Sequence, residues 1–425
     1  MSNYSATIVR ITNLTKHPNA DRLQLTSIFG NTVIVGLDVM EGDLGVFFPL
    51  ESQLSEEFAT ANDLIRRKDE NGKAAGGMLE QNRRVRAIKL RGTPSMGLWL
   101  PLTCLDVIGG LTKPSGPLEG FEFEEMNGVS ICQKYVPKHN VAGGGKKKEG
   151  RKPRESRIIE NQFRFHFDTA QLGKNVHKVN PDDVVVITWK LHGTSAIVGN
   201  CLVKRKLGFI DKLLKRAGVQ VVDSHYDMVY ASRRVVKNEF IEAKQHFYSE
   251  DLWSRVGEEN FEDKLHTGEQ VYYEIVGFTQ DGSYIQKDFD YGCEVGKNKI
   301  FVYRITQTAV DGSVIELQWN QVKHRCGELG VPHVPEIYYG KAEDMFPFLR
   351  REDHWHENIL DALKKSYVYD QDSQFCKNRV PEEGICVRSE GLNIEVFKLK
   401  SFRFLEAETK SLDAGTVDVE TEQTV

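Results

Sequence analysis

The segment GGGKKKEGRKPR at 143–154 constrains this chain more than any other. It holds six basic residues, one acid and four glycines, with no large apolar side chain. Such a stretch cannot offset its ordering entropy by burial, so it reads as a flexible basic linker. The chain must then build separate cores on either side of it. Its 425 residues allow two to four domains at about 100–200 residues each. The reading is residues 1–110 as one unit, 111–160 as a linker with a basic Gly-rich stretch, 161–402 as a larger unit, and 403–425 as an acidic disordered tail.

The two sides differ in pattern. YSATIVRI (4–11) alternates like a strand, and LQLTSIFGNTVIVG (23–36) reads as a hairpin around Gly30-Asn31. GVFFPL (45–50), RVRAIKL (84–90) and MGLWLPL (96–102) add three more short strands. That spacing suggests an all-β barrel of OB type. Beyond the linker, strands at 183–190, 194–200, 270–278, 299–305, 314–319, 384–389 and 393–399 mix with helical candidates at 209–218, 239–257 and 357–367. The mixed order makes the larger unit α+β, with antiparallel sheets and helices, rather than doubly wound.

Composition excludes several classes. Apolar residues at 40% and charged residues at 28% suit a folded, water-facing chain. No run of about 18 apolar residues occurs, so no membrane helix is expected. The first residues, MSNYSATIVRI, lack the basic-then-apolar pattern of a secretory signal. The seven cysteines are scattered and odd in number, which suggests a cytoplasmic or other reducing intracellular compartment and no zinc site. The net charge of −5 would by itself oppose a nucleic-acid partner, yet Leu405–Val425 alone carries six acids and one lysine. Residues 1–404 therefore sum to zero, and the whole-chain charge says nothing about the rest.

The larger unit sets polar residues at strand ends. Lys190 closes the apolar run DVVVITWK and precedes Leu191-His192-Gly193. A lysine leaving a β-core meets low dielectric, where desolvation and nearby cations favour the neutral, nucleophilic amine. Gly193 lets the backbone approach a ligand. Ser232 and Arg233 follow in YASRR, Glu274 in YYEIVG, Phe301 and Tyr303 in IFVYRI, Glu383 and Gly384 in PEEGICVR, and Lys398 and Lys400 in VFKLKS. Singly, each has a plain structural explanation. A strand-end lysine can snorkel to water, strand-end acids can be solvated, a K-x-K pair can protect an edge strand, and alternate aromatics can be core. HFDT (166–169), with Phe163, Phe165 and Phe167 alternating, reads as a strand with one apolar face.

Taken in order, the set resembles the nucleotidyltransferase motifs of the covalent lysyl-nucleotide superfamily, which includes ATP-dependent ligases and mRNA capping enzymes. Lys190 matches the nucleophile of motif I, Ser232-Arg233 motif Ia, Glu274 motif III, the FVYRI strand motif IIIa, EEGICVR motif IV and FKLK motif V. Two positions depart from the pattern: His192 and Arg304 each stand where an Asp is usual. The resemblance implies a nucleotidyltransferase fold of the ligase type (ATP-grasp-like) and a nucleotide pocket containing Lys190, His192, Gly193, Arg233, Glu274, Tyr303, Phe301, Glu383, Lys398 and Lys400. It implies that Lys190 attacks the α-phosphorus of ATP, with Lys398 and Lys400 beside that phosphate and Arg233 on a phosphate or substrate end. Glu274 would accept from a ribose hydroxyl, and Tyr303, or secondly Phe301, would stack on the adenine. Glu383, with Glu274, would help hold Mg²⁺ or Mn²⁺, partly through water.

HPNADRLQL (17–25) and KLRGTPSMGLWLP (89–101) resemble the tRNA-binding OB domains of some synthetases. Arg83, Arg84, Arg86, Lys89 and Arg91 form a basic strand that could follow a phosphate backbone. Only about 25 residues follow Lys400, too few for a C-terminal OB domain. An OB module placed first is similar to the fifth, Deinococcus-type, RNA ligase family. That likeness implies ATP-dependent joining of 3′-OH and 5′-phosphate ends, at nicks in RNA or RNA-containing duplexes, in RNA repair. From the composition no membrane partner is expected, and the sequence shows no evident obligate protein partner. A capping-type guanylyltransferase and a non-catalytic RNA-binding protein are the competing readings.

Overall fold

The computed structural model describes residues 3–68, 72, 74–111, 116–137, 156–239, 247–351 and 354–414. The basic stretch at 143–154 lies outside the described residues. The first unit contains β1 (Ala6–Arg10), the hairpin β2 (Leu23–Ile28) and β3 (Asn31–Gly36), β4 (Leu44–Phe48), β5 (Ser52–Leu54), the hairpin β6 (Ala87–Leu90) and β7 (Thr93–Met96), β8 (Leu98–Pro101), β9 (Glu122–Phe123) and β10 (Cys132–Lys134). One sheet runs β8-β4-β1-β9, and β10 pairs with β5. The β2–β3 turn falls on Phe29-Gly30, with φ of 50° and 70°, one residue before the expected pair. Two left-handed residues match the twist of the flanking strands.

The first unit ends at β10, well past the expected boundary at 110. Phe123, Met126, Ile131 and Cys132 complete a core with Ile8, Phe48 and Leu54. These closing strands span two or three residues, too few to show alternation in the sequence.

The larger unit holds β11 (Ala170–Gln171), β12 (Val184–Trp189), β13 (Thr194–Lys204), α1 (Phe209–Arg216), β14 (Ser224–Ser232), α2 (Leu252–Phe261), β15 (Glu269–Gly277), β16 (Asn298–Thr308), β17 (Val314–Glu316), α3 (Trp319–Leu329), β18 (Glu336–Lys341), α4 (Trp355–Tyr367), β19 (Gly384–Glu390), β20 (Glu395–Lys400) and α5 (Phe402–Asp413). Two five-stranded sheets result, ordered β14-β13-β15-β16-β17 and β11-β20-β19-β12-β18. All pairings are antiparallel except β11 with β20. Trp253, Val256 and Phe261 of α2, with Trp319 and Val322 of α3, cover Val271, Tyr273, Ile275 and Val302 of the first sheet. Trp355, Ile359, Leu360 and Leu363 of α4 cover Val185, Ile187, Ile385 and Val387 of the second. Burying each such side chain contributes about 1.5–3 kcal/mol, so these layers fix where the strand ends meet.

The acidic tail begins with order. Leu405 through Asp413 are helical in α5, whose first turn is capped by Ser401 Oγ accepting from Phe404 N at 3.1 Å. Phe404 is buried against the first-sheet core. The charges of α5 are engaged with the first unit. Arg84, fully buried, donates to Glu51 through Nε (2.7 Å) and Nη2 (2.6 Å) and reaches Asp413 at 3.3 Å. Arg86 meets Asp413 at 2.8 Å, and Lys89 faces Glu406 at 3.9 Å. Arg83 donates to Leu54 O and pairs with Glu56. Four of the five residues read as a nucleic-acid face are thus turned to internal partners, three of them toward α5. Arg91 stays exposed. At the other end of the first unit, the Phe29-Gly30 turn packs on Gly173, which leaves no room for a Cβ, and on Lys364.

Candidate active site

The chain pairs its strands so that the predicted polar residues converge. Lys190 follows β12, and its amide donates to Gly384 O at 2.9 Å. β19 places Gly384 opposite Lys400 and Cys386 opposite Lys398. Lys398 and Lys400 are two apart on β20 and share one face. Gly384 has φ 137° and meets Leu399 O so closely that a Cβ would clash. From the other sheet, β13 sets Ser195 opposite Glu274 on β15. A register shift between Tyr272 and Tyr273 leaves Tyr303 without a partner across β15, and the irregularity turns it toward the space between the sheets.

That space is a cleft of about 370 Å³. Lys190, Lys398, Lys400, Arg233, Glu274, Ser195 and Tyr303 line it. Lys190 Nζ lies 2.8 Å from Glu383 Oε1, and Lys400 Nζ 3.2 Å from the same atom. Glu383 is only 2% exposed and sits behind the lysines. Burial alone would raise its carboxyl pKa, but Lys190 and Lys400 outweigh that and hold it below the ordinary range. Burial, Lys400 and Lys190 together push Lys398 down to about 8. Glu274 Oε1 accepts from Gly193 N at 2.9 Å, and Gly193 O accepts from Gln286 Nε2 at 2.8 Å, fixing the turn after the lysine. Ser195 Oγ and Tyr303 Oη lie 2.8 Å apart, so the tyrosine ring is tethered at its tip.

Two expected residues stand elsewhere. Phe301 packs against the first-sheet core and does not line the cleft. The His192 ring is clamped edge-on between Phe289 (4.8 Å) and Phe404 (4.9 Å), and its amide donates to Tyr291 Oη at 2.5 Å. The position that usually holds an aspartate is here an aromatic clamp joining the lysine turn to α5. Arg304, the other departure, stacks its guanidinium between Phe167 (4.8 Å) and Tyr272 (4.7 Å) and pairs with Glu316 at 2.7 Å.

The segment HFDT, whose alternation predicts a strand, is irregular. Phe163 is buried, while His166, Phe167 and Asp168 line the cleft. His166 meets the Tyr303 ring at 5.3 Å and lies parallel to Phe167. Asp168 takes Arg233 as its partner. Trp189, Trp319 and Arg388, which no sequence motif singles out, also line the cleft. The sequence marks the first group only by aromatics alternating with His166 and Asp168. Trp319 and Arg388 carry no such mark.

Among the described residues, no group of three or more His, Cys, Asp or Glu is arranged to hold a metal. Glu383 Oε2 is nonetheless buried without a hydrogen-bond partner in the described structure. An orphaned carboxylate oxygen beside lysines fits a hydrated divalent cation, which keeps several waters and leans on one or two carboxylates plus phosphate. Glu274 has one oxygen on Gly193.

Comparison with known proteins agrees with this architecture. A family model described as an OB-fold domain matches residues 5–102. The structure is similar to Naegleria gruberi RNA ligase with PPi, at TM-score 0.59 and 17% identity, over 95% of this chain and 98% of that one. It is similar to a glutamate-to-alanine variant of the same ligase with AMP and Mn, at TM-score 0.58 and 18% identity, with the same coverage. A lysine-to-alanine variant with ATP and Mn matches at TM-score 0.57 and 17% identity, again over 95% and 98%. No curated protein sequence matches the chain. The chain therefore has the fold of an N-terminal OB module followed by a ligase-type nucleotidyltransferase unit.

Proposed function

We propose that this protein is an ATP-dependent RNA ligase that joins 3′-OH and 5′-phosphate ends through a lysyl-AMP on Lys190, acting at nicks in RNA or RNA-containing duplexes. The observation that carries the reading is the lysine floor, where Lys190 and Lys400 crowd one buried carboxylate, Glu383, and Lys398 lines the same cleft of nucleotide size. Likeness in both units to a ligase solved with ATP, AMP, PPi and Mn supports it.

In the first step the neutral amine of Lys190 attacks the α-phosphorus, a P–N bond forms, and the bond to the β-phosphate oxygen breaks, releasing pyrophosphate. Phosphoryl transfer depends on alignment and charge neutralisation more than on covalent help. Lys398 and Lys400 supply fixed positive charge where the phosphate charge grows. The adenine would lie along Tyr303, whose ring is held by Ser195, with Arg304 and Phe167 closing that end. Glu274 sits within reach of a ribose hydroxyl while bracing the Gly193 turn. A divalent cation near Glu383 would add neutralisation of the phosphate oxygens. In the second step the AMP passes to a 5′-phosphate, and in the third a 3′-OH attacks that activated end and releases AMP.

The test is incubation with labelled ATP, GTP or NAD and Mg²⁺ or Mn²⁺, followed by denaturing electrophoresis. AMP from ATP should remain on the wild-type protein and be absent from Lys190→Ala. Label retained by Lys190→Ala, or labelling by GTP in place of ATP, would overturn the reading.

A further inference from the structure

The turn behind the nucleophile leaves the sheets. β12 ends at Trp189 and β13 begins at Thr194, so Leu191, His192 and Gly193 lie between the two ladders. Backbone groups there still need partners where water is kept out. Side chains supply them. His192 N donates to Tyr291 Oη at 2.5 Å, Gly193 N donates to Glu274 Oε1 at 2.9 Å, and Gly193 O accepts from Gln286 Nε2 at 2.8 Å. The His192 ring meets the Phe289 ring at 4.8 Å. Three of these four contacts come from one loop, residues 286–293, between β15 and β16.

That loop is itself fastened. Asp290 is buried, and its Oδ1 accepts from Gly292 N at 2.7 Å and Lys377 N at 3.0 Å, while its Oδ2 accepts from Asn378 N at 2.8 Å. Asn378 Nδ2 donates to Asp288 O at 2.9 Å, and Lys299 Nζ of β16 donates to Tyr291 O at 2.9 Å. Tyr291 has φ 48°, a left-handed conformation that bulky residues rarely adopt. The bonds on either side of it hold it there. Residues 377 and 378 lead through Val380 into Glu383, the carboxylate that Lys190 touches. One loop therefore joins the turn that carries Lys190 to the segment that carries Glu383.

In-line attack on phosphorus depends on where the amine points, and a misplacement of about 1 Å costs about a hundredfold. Resting on the ligase reading, we propose that loop 286–293 is an aiming cradle for Lys190, in which Tyr291 positions the turn and Asp290 locks the loop to the segment leading into Glu383. Both are positioning residues, since neither is among the residues that line the cleft and each acts through the backbone it holds. The cradle serves one step. Lys190 is the attacking group when lysyl-AMP forms, whereas a strand that already bears 5′-AMP is attacked by the 3′-OH. Loss of the cradle should therefore slow the first step and spare the last.

Full-length Tyr291→Phe and Asp290→Asn would be compared with wild type. Tyr291→Phe removes one oxygen and keeps the ring, and Asp290→Asn keeps one acceptor oxygen and loses the other. Three quantities are read: the rate of adduct formation at saturating labelled ATP, the ATP concentration that gives half that rate, and the rate of sealing a nick whose 5′ end already carries AMP. Tyr291→Phe should slow adduct formation by about 10- to 100-fold and leave the other two within about twofold. Asp290→Asn should show the same pattern with a loss of about tenfold. If Asp290→Asn does not fold, Tyr291→Phe decides alone. Adduct formation within about twofold of wild type in Tyr291→Phe would overturn the cradle. So would an equal loss in sealing of the AMP-bearing nick, or a loss that saturating ATP restores, because the loop would then be a structural part or an ATP contact. A wild-type protein that forms no adduct would overturn the ligase reading and the cradle with it, whereas normal labelling in wild type and Tyr291→Phe alike would overturn the cradle alone.

Discussion

The docking surface around Arg84 and the floor around Lys190 both crowd basic side chains, yet they treat charge in opposite ways. At the docking surface, Arg84, Arg86 and Lys89 each meet a carboxylate: Glu51, Asp413, Glu80 or Glu406. At the floor, Lys190 and Lys400 share Glu383, and Lys398 is left without a near carboxylate among the described residues. Balanced charge holds two units together in the absence of ligand. Unbalanced charge in a dry cleft costs stability and is kept where a ligand brings the missing anion.

Breaking the balanced side at its centre should have the largest effect on the fold. Arg84→Ala leaves Glu51 facing a buried gap and cuts one tie to α5, so a loss of about 3 kcal/mol is expected in urea unfolding. A loss under about 0.5 kcal/mol would mean that water enters freely and that the interface is not dry.

Relieving the unbalanced side should do the reverse. Lys398→Met is expected to lower adduct formation by about a hundredfold while leaving the ligand-free protein at least as stable as wild type. The pH dependence sharpens this. Lys398 has a folded pKa near 8 against an ordinary 10.5, so the unfolded chain binds its proton more tightly. Its cost is fully present below about 8 and lifts as pH rises toward 10.5. Wild-type stability should carry that upward contribution, and Lys398→Met should lack it when the two melting curves are compared across this range.

The junction between the two regions is His192, clamped by Phe404 at the start of α5. Restoring the usual residue with His192→Asp should harm this protein, since a carboxylate would enter an aromatic clamp on the side of Glu383. Labelling is expected to fall about tenfold and stability by about 1–3 kcal/mol, with His192→Asn milder. Faster labelling in His192→Asp would show that the clamp is dispensable. At the rim of the docking surface, Lys89→Ala should change stability by less than about 0.5 kcal/mol, because its pair with Glu406 is long and half-exposed. A larger loss would extend the dry interface outward.

Much of the site was legible because its residues sit at the ends of apolar strand runs. DVVVITWK, IFVYRI, EGICVR and VFKLK announce both strand and exit point, and antiparallel pairing then brings the exits together. His166, Phe167 and Arg304 were harder to see, because their role depends on a loop crossing the cleft and on a bulge in β16. The tail departs from its composition for a related reason. LEAETKSLD is polar, yet its acids Asp413 and Glu406 face Arg84, Arg86 and Lys89 of the first unit, and composition cannot see a partner more than 300 residues away.

By itself the sequence determined that the chain builds an all-β unit and an α+β unit, and that lysines leave the larger core at three strand positions. Local pattern suffices for this, since alternation and apolar runs encode which face of a strand is buried. Tertiary structure alone decided which charges are neutralised at home. Arg84 and Lys398 look alike in sequence, as basic residues in strand-like runs. One folds against two carboxylates from distant segments, and the other faces the cleft between the two sheets. Long-range Coulomb interaction depends on separation in space and on burial, and neither is written in the order of residues.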